Sequence, residues 1–300
     1  MKIALDPTPF HHDYSLLELP GVVADCGFEH IQLTPHRDIT PFFRHPKADD
    51  ALVRAFKKAC DDAGVGIASV LPVQRWSAPD AWAREAAVRN WKRLIQISVD
   101  LGCQVMNTEF SGRPEQPEES EAAFYTSMEE LLPIIEREGL DVRIDPHPDD
   151  FVEDGLEAIR VIRGLNSPNI GMVYVACHSY HMIHPMRQIM REAGDLLRLV
   201  HVADTMDHHR SHGLRYITNP PGNAVRVHQH LKIGDGDLDW ADFFEGLGEL
   251  GFYDRDDTVM CSSVFAEDEN AHEVSRYQLR TMTDWVERVR SGATSGGESE

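Results

Sequence analysis

This 300-residue sequence lacks the features that mark membrane, secreted and nucleic-acid-binding proteins. It contains no apolar run close to the roughly 20 residues that a membrane-spanning helix needs. Lysine and arginine total 29 against 50 aspartate and glutamate residues, and the net charge of −21 disfavours nucleic acid or an anionic membrane as a partner. The first residues, MKIALDPTPF, have neither the apolar core nor the cleavage site of a signal peptide. We therefore expect a cytoplasmic protein that acts on a small molecule.

Two further motifs are missing. The five cysteines are scattered and none belongs to a CxxC pair, which disfavours a disulfide framework and a cysteine-rich structural zinc site; we expect small buried thiols. The first apolar run is followed by DPTPFHHD, which contains no glycine. An open, doubly wound α/β sheet usually carries a glycine-rich phosphate loop at that point, so this fold is the less favoured of the α/β alternatives.

Short apolar runs alternate with longer amphipathic segments along the whole chain. The runs of strand length lie at 2–6, 30–34, 66–72, 104–110, 141–145, 170–176, 199–204 and 257–265. They are apolar on both faces, which is typical of parallel strands covered by helices on both sides. Eight strand–helix pairs predict an α/β fold of one domain, a (β/α)8 TIM barrel over 1–290. We expect the small, polar tail at 291–300 to be disordered.

Polar residues recur where the predicted strands end, and in a TIM barrel this face carries the active site. Those strand ends supply Asp6, Gln32, Gln74, Asn107, Glu109, Asp145, His147, His178, His201, Asp204, Ser262 and Ser263. Ten of the sixteen histidines lie between 147 and 230. A set of carboxylates and imidazoles suits Mn²⁺, Fe²⁺, Co²⁺ or Zn²⁺ better than Mg²⁺ or Ca²⁺.

Each candidate also has a purely structural interpretation that stays open. Glu109 could be a rim charge, and Asp145 with His147 could serve a turn in RIDPHPDD. His178 could be a core histidine, and the pair His228 and His230 could be a coincidence of a loop. The insertion at 205–226, rich in His, Arg, Pro and Gly, would overhang the barrel mouth.

The second half of the chain resembles a known family. The segments RIDPHP, ACH, HVAD and HQHLKIGDGDLDW end successive predicted strands, and together they resemble the xylose-isomerase-like TIM-barrel superfamily. IDPHPDDFVE is similar to the inositol-catabolism branch. The resemblance covers about 1–290 and is closest over 141–265. That superfamily includes sugar isomerases and epimerases, inosose dehydratase and endonuclease IV. The resemblance implies one divalent metal at the barrel mouth, with Mn²⁺ the first expectation and Fe²⁺, Co²⁺ or Zn²⁺ as alternatives.

The chain departs from the ligand set that the family usually shows, which is Glu, Asp, His and a second Glu. Strand five offers the shorter Asp145, Val175 stands where the Asp is expected, and Cys261 or Ser262 stands where the second Glu is expected. The resemblance then implies metal ligands at Asp145, His178, His201 and His230, a base at His147 assisted by Glu109, and substrate contacts at Asn107, Asp204, Arg210 and His228.

The missing strand-eight glutamate shapes the expected reaction. A metal that polarises a ketone, with one base that removes the adjacent proton, supports elimination of a leaving group. We therefore predict a metal-dependent lyase for a keto-sugar, keto-glycoside or keto-cyclitol, similar to inosose dehydratase or to the deglycosidases of 3-keto C-glycosides. Those deglycosidases pair this barrel with a small second subunit, so a second subunit or a homo-oligomer stays open.

Three alternatives remain. The first is a sugar isomerase or epimerase that works through an enediolate at the metal. The second is a sugar-binding barrel subunit without catalysis. The third, a phosphodiesterase similar to endonuclease IV, is disfavoured by the missing ligands and by the charge of −21.

Overall fold

The computed structural model describes residues 1–180, 182, 184–206, 229–265 and 270–292. Eight parallel strands pair in chain order and close into a barrel. They are β1 (Lys2–Leu5), β2 (His30–Leu33), β3 (Gly66–Val70), β4 (Val105–Glu109), β5 (Asp141–Asp145), β6 (Ile170–Val175), β7 (Leu197–Val202) and β8 (Val259–Ser262). The predicted TIM barrel is confirmed, and the open doubly wound sheet is excluded.

Helices connect the strands and cover the outside of the barrel. Within the described residues they are α1 (Leu19–Asp25), α2 (Asp50–Ala63), α3 (Ala81–Leu101), α4 (Pro117–Arg137), α5 (Gly155–Gly164), α6 (Ala176–Ser179), α7 (Met186–Ala193), α8 (Trp240–Glu249) and α9 (Ala271–Arg290). Four of them begin at an aspartate whose carboxylate accepts a hydrogen bond from a backbone N–H of the first turn, at Asp49, Asp80, Asp154 and Asp239. In the described part of the chain, no helix is both long and apolar enough to cross a membrane.

Every apolar run of strand length forms a strand, with small differences at the ends. β7 begins two residues before its predicted start, because Leu197 is fully buried and pairs with Met172 of β6. β6 ends at Val175, and the chain then enters the single turn of α6, which carries His178. That turn is not apparent in the sequence, where the apolar run continues through Ala176. The predicted tail at 291–300 lies outside the described residues from 293 onward.

The loops after β4 and β5 are locked together at the barrel mouth. Asp150 accepts hydrogen bonds from the backbone N–H groups of Ser111 (2.5 Å) and Gly112 (2.7 Å). A Cβ at Gly112 would lie 2.2 Å from Cδ1 of Phe151, so only glycine allows this approach. The lock holds the residues that follow Glu109 against the residues that follow Asp145.

Candidate active site

A cavity of about 280 Å³ opens at the carboxyl ends of the strands. Its polar lining comes from Asp6, Thr8, Asn107, Thr108, Glu109, Asp145, His147, His178, His201, His230 and Ser263, and its apolar lining from Pro35, Phe42, Leu71, Val73, Val173 and Phe265. The two catalytic residues and the four metal ligands predicted from the sequence therefore share one cavity, and so does Asn107.

Glu109 and Asp145 lie side by side, because they are partners in the register of β4 and β5. Asp145 is 5% exposed and its Oδ2 lies 2.9 Å from Nδ1 of His178. Burial, followed by the negative charges of Glu109 and Asp150, raises the pKa of Asp145 well above its usual range. The contact between Oδ2 of Asp145 and Nδ1 of His178 orients the His178 ring, which is the role that a carboxyl group often plays behind a metal-binding histidine.

His147 and Glu109 form an acid–base pair at the edge of the cavity. Nδ1 of His147 lies 2.6 Å from the carbonyl oxygen of Pro148. A carbonyl oxygen only accepts, so Nδ1 carries the hydrogen and Nε2 is the basic nitrogen. Nε2 lies 3.8 Å from Oε1 of Glu109, close enough for the carboxylate to stabilise a protonated imidazole. Both side chains are 26% exposed, so they reach ligand and solvent.

His230 is held in one tautomer at the end of the cavity beside β8. Its Nδ1 donates to the carbonyl oxygen of Ser263 (2.7 Å), which leaves Nε2 as the basic nitrogen, and its ring stacks on Phe265 at 4.1 Å. Burial lowers the pKa of His230 to about 4, so the ring is neutral near pH 7. The ring centroids of His178 and His230 lie 5.4 Å apart.

His201 ends β7 with a different set of contacts. Its Nε2 lies 3.1 Å from Oε1 of Gln32 and 3.4 Å from Nδ2 of Asn107. Burial and the neighbouring His230 lower the pKa of His201 to about 3, so this ring is also neutral. Gln32 in turn accepts a hydrogen bond from Ser69 (2.9 Å), which fixes the amide oxygen toward the histidine.

The described residues contain one close group of metal-binding side chains in the barrel. Cys177, His178 and His230 offer ligand atoms that all lie within 4.8 Å of one another, and all three are buried. Of the four predicted ligands, the structure thus brings His178 and His230 together, while Asp145 contacts His178 and His201 contacts Gln32 and Asn107. Two imidazoles whose Nδ1 atoms lie against oxygen acceptors are typical of a divalent-metal site, so the residues fit such an ion. Burial, followed by the charge of Asp145, raises the pKa of the Cys177 thiol well above its usual range, so a bound ion would have to displace its proton. A thiolate ligand at this position would suit Zn²⁺ or Co²⁺ better than Mn²⁺.

Four buried oxygen atoms on the cavity lining have no hydrogen-bond partner among the described residues. They are Oδ1 of Asn107, Oγ1 of Thr108, Oδ1 of Asp145 and Oγ of Ser263. The two hydroxyls can donate, and all four oxygens can accept. Buried polar groups in native proteins are nearly always paired, so this surface suits a ligand rich in hydroxyl groups.

Asp204, which the resemblance suggests as a substrate contact, lies outside the cavity lining and is fully buried. Its carboxylate accepts hydrogen bonds from Thr205 N (2.9 Å), Gly234 N (2.9 Å), Leu238 N (3.2 Å) and Trp240 Nε1 (2.8 Å). A Cβ at Gly236 would lie 2.2 Å from Oδ1 of Asp204, which explains the second glycine of IGDGD. Asp204 thus orders the turn behind His230. Arg210 and His228, the other predicted substrate contacts, lie outside the described residues.

We expect Asp204→Asn to lower the free energy of unfolding by about 2–4 kcal/mol, because an amide NH2 cannot accept the bonds that a carboxylate oxygen accepts in a buried site. Chemical denaturation with urea measures this change. Asp235→Asn, an exposed substitution in the same turn, should cost less than about 1 kcal/mol, because its partner is a surface lysine. Equal stability of the two variants would contradict the structural role of Asp204.

Sequence reasoning did not single out several residues of the cavity. Asp6 carries the same signal as Asp145, because each is an aspartate at the end of a predicted strand. From the sequence alone, Cys177 is expected to be a buried thiol of the core. Thr8 begins a short 3-10 helix (Thr8–Phe10) and Phe42 lies in a turn, and neither segment has a periodic pattern that marks a side chain on the cavity lining. Asp6 could have been found by treating all eight strand ends alike.

A family model described as "Xylose isomerase-like TIM barrel" matches residues 21–285, so the chain belongs to that family. No curated protein sequence matches it. A structure of D-psicose 3-epimerase with D-tagatose from Clostridium cellulolyticum H10 is 14% identical, with a TM-score of 0.71 and coverage of 96% of this chain and 99% of that chain.

Two further structures are similar over nearly the whole chain. The 3-keto-D-glucoside 4-epimerase of E. coli in its apo form is 18% identical, with a TM-score of 0.69 and coverage of 94% of this chain and 99% of that chain. The IOLI protein with a bound zinc atom is also 18% identical, with a TM-score of 0.69 and coverage of 96% and 99%. At these identities the likeness shows a shared fold. The superfamily suggested by the sequence motifs is confirmed.

Proposed function

We propose that this protein is a metal-dependent sugar isomerase or epimerase that moves a proton at a carbon next to a carbonyl group. The observation that carries the proposal is the acid–base pair of His147 and Glu109 in one cavity with the neighbouring rings of His178 and His230. A base beside a metal-binding pair is the minimum set for enolisation of a ketone.

The lining of the cavity supports an uncharged sugar as the substrate. The four unpartnered polar atoms suit hydroxyl groups, and Phe42, Leu71 and Phe265 offer apolar surface for the C–H faces of a sugar ring or chain. Among the described residues of the lining there is no lysine or arginine, whereas three carboxylates are present. This electrostatic balance favours a neutral ketose or keto-glycoside over a sugar phosphate.

The residues support one sequence of proton transfers. Nε2 of His147 removes the proton from the carbon next to the carbonyl, and the electron pair of the C–H bond forms the double bond of an enediolate. Glu109 stabilises the imidazolium that results, at 3.8 Å from the protonated nitrogen. A divalent ion held by His178 and His230, with Cys177 beside them, supplies a Lewis acid for the carbonyl oxygen when it is bound. Return of a proton to carbon then completes the reaction.

Manganese was the first expectation from the sequence, whereas the group that contains Cys177 favours Zn²⁺ or Co²⁺. The zinc atom of the IOLI structure belongs to a protein of the same fold. We therefore propose zinc as the first metal to test, with cobalt and manganese beside it.

The names of the similar structures favour an isomerase or epimerase over the lyase expected from the sequence. Elimination remains the second candidate, because β8 ends in Cys261 and Ser262, and no glutamate follows directly. A keto-sugar with a leaving group one carbon further along would then lose that group from the same enediolate.

Product analysis separates these reactions. We expect the purified protein, supplemented with Zn²⁺, Co²⁺ or Mn²⁺, to convert at least one of D-fructose, D-tagatose, D-psicose, L-ribulose and methyl 3-keto-D-glucoside to an isomer of equal mass. Carbon-13 NMR identifies the isomer, and mass spectrometry detects any loss of water or alcohol that elimination would cause. His12→Gln, an exposed histidine outside the cavity, serves as the control variant. Failure to convert any of the five sugars with any of the three metals would contradict the proposal.

A further inference from the structure

Besides Glu109 and Asp145, a third carboxyl group lines the cavity, on the wall formed by β1 and β8. Asp6 directly follows β1, and its backbone N–H donates to the carbonyl oxygen of Ser262 (2.9 Å). Because Leu5 and Ser262 are partners in the register of these strands, Asp6 lies beside Ser263. The carboxyl group of Asp6 therefore lies next to the end of β8, the strand where the resemblance to the family leads one to expect a glutamate.

The barrel topology places Asp6 on the opposite side of the strand ring from His147. The eight strands pair in chain order around a closed ring, so β1 and β5 are four strands apart in both directions. Asp6 follows β1 and His147 follows β5, and both line the same cavity. A substrate between them presents one face to each residue. Inversion at a carbon atom needs this arrangement, because the proton leaves from one face and returns to the other.

The surroundings of Asp6 suit a residue that holds and releases a proton. Its side chain is 2% exposed, and its Oδ1 accepts hydrogen bonds from the N–H (2.9 Å) and the hydroxyl (2.6 Å) of Thr8. These two bonds fix the carboxyl group, and the side chain of Thr34 lies close enough to contribute a further hydrogen bond. Burial, opposed in part by the Thr8 bonds, raises the pKa of Asp6 to about 6, so that both protonation states are accessible near neutral pH.

We propose that Asp6 is the second acid–base residue of an epimerase, opposite His147. This inference rests on the proposed function and narrows it to inversion at one carbon. His147 takes the proton from the first face, and the C–H electron pair becomes the double bond while the carbonyl oxygen gains a negative charge. Protonated Asp6 then gives its proton to the second face of the same carbon, and the carbonyl group forms again. His147 ends protonated and Asp6 ionised, and exchange with water restores both.

Asp6→Asn tests the proposal in deuterium oxide, with the five sugars named above as probes. The asparagine Oδ1 still accepts both bonds from Thr8, whereas the side chain no longer carries an exchangeable acid proton. We expect the variant to form epimer about 10²-fold more slowly or worse. It should continue to place deuterium on the substrate carbon, because His147 still removes and returns the proton on its own face. Proton NMR reports both rates in one sample.

Asp13→Asn makes the same chemical change at an exposed position of the same loop and should behave like the wild type. Circular dichroism and metal content check that Asp6→Asn folds and loads normally. Epimer formation by Asp6→Asn at the wild-type rate would overturn the inference, and so would an equal loss of exchange and epimerisation in a folded, metal-loaded variant. A wild-type protein that exchanges no sugar would instead overturn the proposed function itself.

Discussion

We expect His178→Gln and His230→Gln each to yield protein without stoichiometric divalent metal, and each to lose about 10³-fold in turnover. The loss is this large because Lewis-acid stabilisation of an enediolate is worth several kcal/mol and each 1.4 kcal/mol is a factor of ten in rate. Elemental analysis of protein purified without chelator measures the metal directly, independently of any substrate. His184→Gln, a half-exposed histidine paired with Asp154, should keep its metal.

Further variants distinguish the group of Cys177, His178 and His230 from the four-residue set expected from the sequence. Asp145→Asn should weaken metal binding by about 10–100-fold, because Asp145 orients His178 from behind. Cys177→Ser should weaken zinc more than manganese, because sulfur is the softer ligand. His201→Gln should retain metal, since His201 contacts Gln32 and Asn107. Loss of metal in His201→Gln would show that the four residues expected from the sequence bind the metal. Full metal content in both His178→Gln and His230→Gln would show that these two residues do not form a metal site.

The second large effect concerns the base. His147→Gln should lower the rate of proton exchange by about 10²–10⁴-fold, since this is the usual contribution of a positioned general base. The metal content should not change, because His147 lies outside the group formed by Cys177, His178 and His230. Glu109→Gln should cause a smaller fall, as Glu109 acts by stabilising the protonated ring at 3.8 Å.

Exchange rates from NMR and metal content from elemental analysis are measured on the same samples of His147→Gln, Glu109→Gln and the wild type. A His147→Gln variant that exchanges protons at the wild-type rate would assign the base to another residue. A His147→Gln variant that loses its metal would show that His147 supports the metal site instead.

The fold could be predicted from the sequence because parallel strands buried on both faces leave continuous apolar runs. Each predicted run became a strand, and Asp145, His147 and His201 lie at the strand ends where the barrel hypothesis placed them. The strand-end rule works because backbone direction alone decides which end of a parallel strand faces the mouth. It does not depend on side-chain packing, which a single sequence does not reveal.

What could not be predicted depends on contacts between distant segments. Asp204 follows β7 like a site residue, but the turn that begins at Gly234 folds back and surrounds its carboxylate. Cys177 resembles a core thiol until the turn of α6 brings it near His178 and His230. The lyase prediction depended on the absence of a glutamate at β8, and the carboxyl group beside that position comes from β1, a neighbour only once the barrel has closed.

Deuterium incorporation from solvent tests the central claim most directly, because it requires only that the protein removes a proton next to a carbonyl. The metal-loaded wild-type protein is incubated with the five sugars in deuterium oxide, and the sugars are examined by proton and deuterium NMR. We predict one deuterium at the carbon beside the carbonyl in at least one substrate–product pair, and no incorporation with His147→Gln over the same time. Conversion without deuterium at that carbon, or no incorporation into any of the five sugars, would contradict it.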